Sequence, residues 1–163
     1  MTMTTAIPAN ADAFLNEALK LCQAHERFDT AQRVGDLVTC HAHGTVDEAQ
    51  FCIEVDDDGV WLTWASLDRY LSQSIEAELM FTGDDLDDMV DEEIVDAGWE
   101  LGKLAPNAHH RDEDMRFVFR WKTAITPDTV DAGAHAEPFA KALAGMVEAF
   151  AELGDMAPED DDD

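Results

Sequence analysis

Between Met115 and Thr126 the chain alternates strictly between two sets of residues. Met115, Phe117, Phe119, Trp121, Thr123 and Ile125 form one set, and Arg116, Val118, Arg120, Lys122 and Ala124 the other. A period of two sends the sets to opposite faces of a β-strand, so this stretch reads as a long strand with one apolar, aromatic face. A turn signal, Pro127-Asp128, ends it and a strongly amphipathic helix follows. A strand apolar on one side needs a layer to cover that side. The expectation is therefore a central or near-central strand at 115–126 with helices laid on its aromatic face.

The rest of the chain supplies those partners. Residues 1–10 read as a loose arm ending at Pro8-Ala9-Asn10. Ala11 to Glu26 reads as a helix, with Phe14, Ala18, Leu21 and Cys22 on one face, Leu15 and Leu19 beside them, and Asn10 or Asp12 as candidate caps. Strand patterns follow at Asp36–His43, Ala49–Val55 and Val60–Ala65. The last two form a hairpin around Asp56-Asp57-Asp58-Gly59, where Gly59 is expected to take positive φ. Ser66 is a candidate cap for one or two helical turns over 66–73. Ser74–Phe81 alternates and is read as a strand, with helix as the competitor.

Thr82-Gly83-Asp84-Asp85 opens a second helix with carboxylates at its positive end. Leu86, Met89, Val90, Ile94 and Ala97 form its buried stripe, Asp84, Asp87, Asp88, Asp91, Glu92 and Glu93 its outer face, and Gly98 its stop. Trp99, Leu101 and Lys103 could begin another strand, and Ala108–Asp114 reads as a loop. Asp128–Pro138 reads as irregular, with Pro138 in the first turn of the last helix. Phe139, Leu143, Met146, Val147, Phe150 and Leu153 are its stripe, with Gly154 just past its end. The fold class is α+β: an antiparallel sheet of about five strands with N-terminal, middle and C-terminal helices packed on it. Residues 11–156 are read as one domain and the acidic tail 157–163 as disordered.

Charge narrows the partners. Asp plus Glu number 37 against 10 Lys plus Arg, a net charge of −27 with a pI near 4.1. Such a field repels nucleic acid and anionic membrane surfaces and favours basic partners. No apolar run approaches the ~20 residues of a membrane span. The opening Met-Thr-Met-Thr-Thr-Ala-Ile-Pro lacks the basic and apolar regions of a secretory signal. Cys22, Cys40 and Cys52, odd in number and scattered, suit reduced thiols in a cytoplasm. An excess of Asp over Glu with little Lys also resembles proteins of salt-accumulating organisms. Salt adaptation and partner recognition both account for the charge.

Candidate chemistry is sparse. His41 and His43 would share a strand face and could share a metal, with Cys40 facing away and His109-His110 as further ligands. No closed zinc-ligand motif accompanies them, and ordinary sheet and loop histidines are the simpler reading. The aspartates at 56–58 lack the spacing of a calcium loop. There is no Gly-x-Ser-x-Gly, phosphate-cradling loop or dinucleotide fingerprint, so neither catalytic residues nor cofactor nor metal is expected. Arg111, Arg116, Arg120 and Lys122 are four of the ten cations, the last three alternating along one strand face. Pairing with the surrounding carboxylates is favoured over a binding strip for an acidic partner.

The sequence of elements (opening helix, Phe51–Trp64 hairpin, acidic helix Asp84–Gly98, strand Met115–Thr126, final helix Pro138–Leu153) resembles the YbjN family. These are bacterial proteins described as sensory transduction regulators, with a fold similar to type III secretion chaperones. The resemblance covers most of residues 11–156 through order and pattern. It implies a small, acidic, usually dimeric protein that binds an extended partner segment on an apolar sheet surface, without catalytic residues. The expected function is non-enzymatic protein binding in the cytoplasm, with Trp61, Arg116, Arg120 and Lys122 as the partner-binding residues and a homodimer as the assembly. The alternatives are a small metal-assisted or thiol enzyme using Cys40, His41 and His43, and a salt-adapted regulatory domain.

The two accounts of the acidity separate in a melting experiment. If it is salt adaptation, the melting temperature climbs from low salt to molar chloride as the screening length falls to ~3 Å. If it serves a partner, melting is nearly flat while complex formation weakens with salt. A flat curve removes the first account.

Overall fold

The structure, a computed structural model, describes residues 8–42, 49–66, 86–102, 104–105, 108–111 and 117–150. Helix α1 (Ala9–Ala24) leads into β1 (Phe28–Val34), β2 (Leu37–Ala42), β3 (Ala49–Asp56) and β4 (Gly59–Ser66). Helix α2 (Leu86–Asp96), β5 (Ala108–Arg111), β6 (Phe117–Lys122) and α3 (Ala132–Phe150) complete the order. The architecture is α+β. A six-stranded antiparallel sheet runs β1-β2-β3-β4-β6-β5, against the expected five or so strands.

The hairpin read at Ala49–Val55 and Val60–Ala65 is present and centres the sheet, in a register running from Ala49↔Ser66 to Asp56↔Gly59. Its turn is the two residues Asp57-Asp58, and Gly59 pairs in the strand instead of taking positive φ. A Cβ there would lie 2.8 Å from Lys122 Cε, so its smallness gives passage to a neighbouring side chain. Ser66 is the last residue of β4, and the helical turns read over 66–73 otherwise lie outside the described residues.

The organising strand is shorter and less central than its pattern suggests. Within 115–126 the strand is Phe117–Lys122, fifth in the sheet between β4 and the edge strand β5, and residues 123–126 leave it. Its two faces are as read: Phe119 and Trp121 are buried on the helix side, while Arg120 is half-buried opposite. Two strands escaped the sequence reading. β1 falls on residues given no element, and β5 on the polar run read as a loop. The Trp99–Leu101 stretch is not a strand. The readings at 74–81, at Gly154 and at the tail lie outside the described residues.

The helices cover one face of the sheet. The α3 stripe is fully buried at Phe139, Leu143, Met146, Val147 and Phe150. Phe150 stacks on Trp64 at 5.3 Å and 5°, and meets Phe51, Phe119 and Trp121 at 6.0, 6.3 and 6.1 Å. Each such side chain stabilises by about 1.5–3 kcal/mol. α1 lies on α3 through an edge-on contact of Phe14 with Phe139 at 5.0 Å, and on β1 and β2 through its other residues. It begins at Ala9, inside the expected arm, so Asn10 and Asp12 lie within the helix instead of capping it. Asn10 donates to the Pro127 and Val130 carbonyls at 2.9 and 2.7 Å, tying α1 to the approach to α3.

Helix α3 starts six residues before Pro138, which lies inside it rather than in its first turn. Asp131 makes this possible: its carboxylate accepts the Ala134 N–H at 2.8 Å, a local cap that starts the helix upstream of the proline. α2 ends where Gly98 predicts. With Gly98 at φ +106, the Gly98 and Trp99 N–H groups bond the Val95 and Ile94 carbonyls at 3.0 and 2.9 Å, a Schellman closure.

α2 crosses α3 at Gly145, where an added Cβ would meet the Glu93 carbonyl oxygen at 2.9 Å and Ile94 Cα at 3.1 Å. Both obstacles are backbone, so relief requires the helices to part. Gly145→Ala is expected to cost on the order of 1–3 kcal/mol, read as a lower urea midpoint at unchanged slope. An unchanged midpoint would mean the helices do not touch there.

Candidate functional site

The expected binding residues that are described lie on the sheet face opposite α1 and α3, where Cys52, Thr63, Ala65 and Val118 are buried. Trp61 of β4 stands opposite Lys122 of β6, and Thr63 opposite Arg120. The Arg120 guanidinium lies 3.8 Å from the Trp61 ring centre and Lys122 Nζ lies 5.9 Å from it, both within cation–π range. Arg120 Nη2 also bonds Asp56 Oδ2 at 2.9 Å and Glu54 Oε1 at 3.0 Å. Pairing with carboxylates, favoured on charge grounds, is what Arg120 does. Arg116 lies outside the described residues.

Asp56 organises this cluster. Its Oδ1 accepts the Asp58 and Gly59 N–H groups at 2.9 and 3.0 Å and the Trp61 Nε1–H at 2.8 Å, while Oδ2 takes Arg120. One carboxylate thus closes the β3–β4 turn and fixes the indole and the guanidinium stacked on it. Burial pushes the Asp56 carboxyl upward, but the hydrogen bonds from Trp61, Arg120 and Asp58 outweigh it and hold the group below its ordinary value.

Of the alternative set Cys40, His41 and His43, the two described members point to opposite sides of the sheet. Cys40 is buried on the helix face, where its hydrogen bond with Cys22 and its burial push the thiol well above its usual range. Neighbouring strand residues face opposite sides, and His41 pairs with Asp29 at 3.4 Å on the other one. His43 lies outside the described residues. Among the described residues no three His, Cys, Asp or Glu side chains are grouped to hold a metal, and no helix is long and apolar enough to cross a membrane.

A second feature had no counterpart in the sequence reading. A cavity of about 450 Å³ opens beside the C-terminal half of α2, lined by Asp88, Asp91, Val95, Trp99, Glu100 and Gly102. Trp99 is fixed there by a 2.7 Å bond from Nε1 to the Gly102 carbonyl and by an edge contact with Phe139 at 5.0 Å. The available signal was a tryptophan directly after the stop glycine, with Val95 the one apolar break in an acidic helix face. A smaller cavity of about 260 Å³ near the α2–α3 crossing is lined by His25, Arg27, Glu93, Asp96 and Glu148 among others, with Arg27 and Glu148 paired at 3.1 Å.

No protein-family model matches the chain, and neither a curated protein nor a solved structure matches it. The likeness to the YbjN family rests on element order and patterning alone.

Because Asp56 is held below its unfolded value of about 3.8, its contribution to stability is present above that pH and is lost as pH falls through the folded value. Asp56→Asn keeps an acceptor but removes the charge. It is expected to cost on the order of 1 kcal/mol at neutral pH, given the partial exposure, and to flatten the loss of stability below pH ~4. Unfolding free energies of both proteins across that range check this. Parallel curves would mean Asp56 is not the hub.

Proposed function

We propose that this chain is a non-catalytic protein-binding domain, of the kind its resemblance to the YbjN family and type III secretion chaperones implies. It engages an extended partner segment at the sheet face opposite α1 and α3, around the half-buried Trp61, Arg120 and Lys122. One observation supports this reading most: an indole, a guanidinium and a carboxylate are already locked together on that face at 2.8–3.8 Å. Tryptophan and arginine dominate the energetics of protein interfaces, and side chains fixed before binding lose little freedom on binding. The local charge is nearly balanced, with Arg120 and Lys122 beside Glu54 and Asp56, so a partner need not be strongly basic to dock there. A cytoplasmic setting belongs to the proposal, and so does a homodimer in which a second copy covers this face.

Two measurements test it. A photoreactive residue replacing Lys122 should capture a discrete protein from the native cytosol, or a second copy of the chain, whereas one replacing the exposed Lys20 on α1 should not. Trp61→Ala should weaken the captured complex by roughly tenfold or more while the protein stays folded by circular dichroism. Equal capture from both positions would overturn the assignment. Sedimentation at tens of micromolar in moderate salt decides the second copy: a monomer removes it.

A further inference from the structure

Cys22 and Cys40 meet inside the molecule, although β1 and its turn separate them in sequence. Cys22 lies in the last turn of α1 and Cys40 within β2, and both are buried free thiols. Their side chains share a hydrogen bond, so the two sulfurs touch across the α1–β2 interface. That interface is built of small side chains: Ala18 and Cys22 from the helix, Cys40 and Ala42 from the strand, none more than 1% exposed. Small residues on both sides let the two backbones approach, and a disulfide needs Cα atoms within roughly 7 Å. Either cysteine alone would be core filler. Two in contact, on different elements, are one oxidation away from a covalent link. Cys52 does not compete. It follows Phe51, the β3 partner of Cys40, and so points to the other sheet face, where its sulfur meets Thr39 Oγ1 at 3.6 Å.

The surroundings give the two sulfurs different roles. Cys40 sits between β1 and β3, and its hydrogen bond with Cys22 and its burial hold its thiol in the protonated form. Cys22 is two residues from the end of its helix. That end is closed by the His25 N–H on the Cys22 carbonyl at 3.2 Å and by Gln23 Nε2 on the Ala31 carbonyl at 3.3 Å, an exposed bond. Helix ends open locally at low cost, so Cys22 is the sulfur that a small reagent reaches first. A peroxide is small and uncharged, and suits such an entry.

We propose that Cys22 and Cys40 form a redox latch, in which a peroxide converts the thiol pair into a disulfide that pins the end of α1 to β2. The Cys22 sulfur attacks one peroxide oxygen, the O–O bond breaks and water leaves, giving a sulfenic acid. The Cys40 sulfur then attacks the Cys22 sulfur and the S–O bond breaks. The departing hydroxide takes the Cys40 proton and leaves as a second water. Two thiols give up two electrons, one peroxide accepts them, and a dithiol reductant resets the pair. The latch uses none of the sheet-face residues and is independent of the binding proposal. Its oxidised form is a stabilised copy of the same fold, because the bridge closes the loop between residues 22 and 40.

The test treats the full chain with hydrogen peroxide in the absence of denaturant. Maleimide labelling in urea should then find one free thiol of the three, and all three after reduction. Peptide mapping without reductant should join Cys22 to Cys40 and leave Cys52 free. The urea midpoint should rise by on the order of 1 M or more, with an unchanged circular dichroism spectrum, and return on reduction. Cys52→Ser should behave as the wild type does, and Cys22→Ser should form no bridge. Three free thiols after treatment would overturn the proposal, as would a bridge to Cys52 or to a second chain. A Cys22–Cys40 bridge that lowers the midpoint would overturn it too. These last outcomes are read on the wild-type chain, so they stand even where a serine in the core prevents folding.

Discussion

The face-to-face stack of Phe150 on Trp64 is the contact on which the remaining packing depends. Trp64 belongs to β4, at the middle of the sheet, and Phe150 to the last turn of the described part of α3. Phe51, Phe119 and Trp121 close around the pair, so one helix end is gripped by β3, β4 and β6 at once. The other helices lean on α3 in turn: α1 through Phe14 against Phe139, α2 through the backbone crossing at Gly145. The stack has a cost. Trp64 buries its Nε1–H with no acceptor, a loss of about 1–3 kcal/mol that the aromatic burial offsets.

Around this core the scarce cations act as tethers between elements. Arg33 of β1 reaches Asp12 of α1 at 2.8 Å and Asn16 at the same distance; Arg27 reaches Glu148 of α3; Arg120 of β6 reaches Glu54 and Asp56 of β3. Each is half-exposed at most, so each contributes modestly, but all three join segments distant in sequence. With 37 acidic residues to 10 basic ones, carboxylates outnumber the cations that could pair with them, and they are dense along α2. Asp87 is an exception that serves the core: it accepts the Trp121 Nε1–H at 2.7 Å and pins the start of α2 to β6.

Legibility in the sequence followed burial. Strands β2, β3, β4 and β6 each bury a face, and alternation revealed them; α3 buries a broad stripe, and its period revealed that. Edge strands have less to bury. β1 is anchored by Phe28 but otherwise half-buried or exposed, and β5 is Ala-His-His-Arg, so neither carries an apolar rhythm. Pro138 misled because a proline is read as a helix start, whereas the Asp131 cap had already started the helix. Of the sheet-face cluster, Trp61, Arg120 and Lys122 were readable from alternation, but Asp56 as their hub was not, since its turn looked merely solvated. The cavity beside α2 was illegible for a different reason. Asp88 and Asp91 come from the helix, Trp99 and Glu100 from beyond its stop and Gly102 from the next bend, and only the Schellman closure turns them towards one another.

The two surfaces differ in electrostatic design, and this separates their behaviour. At the sheet face, Arg120 and Lys122 sit among Glu54, Asp56 and an aromatic ring, so positive and negative charge nearly cancel over a few ångströms. Salt has little net charge to screen there, and affinity would come from shape and desolvation. The depression beside α2 has three carboxylates and no cation in its described lining, so its field is negative and shortens in range as ionic strength rises. The two also lie on opposite layers, one on the sheet face away from α1 and α3 and the other beside α2. At that remove a charge at one is largely screened from the other, so the two surfaces are electrostatically independent at physiological salt.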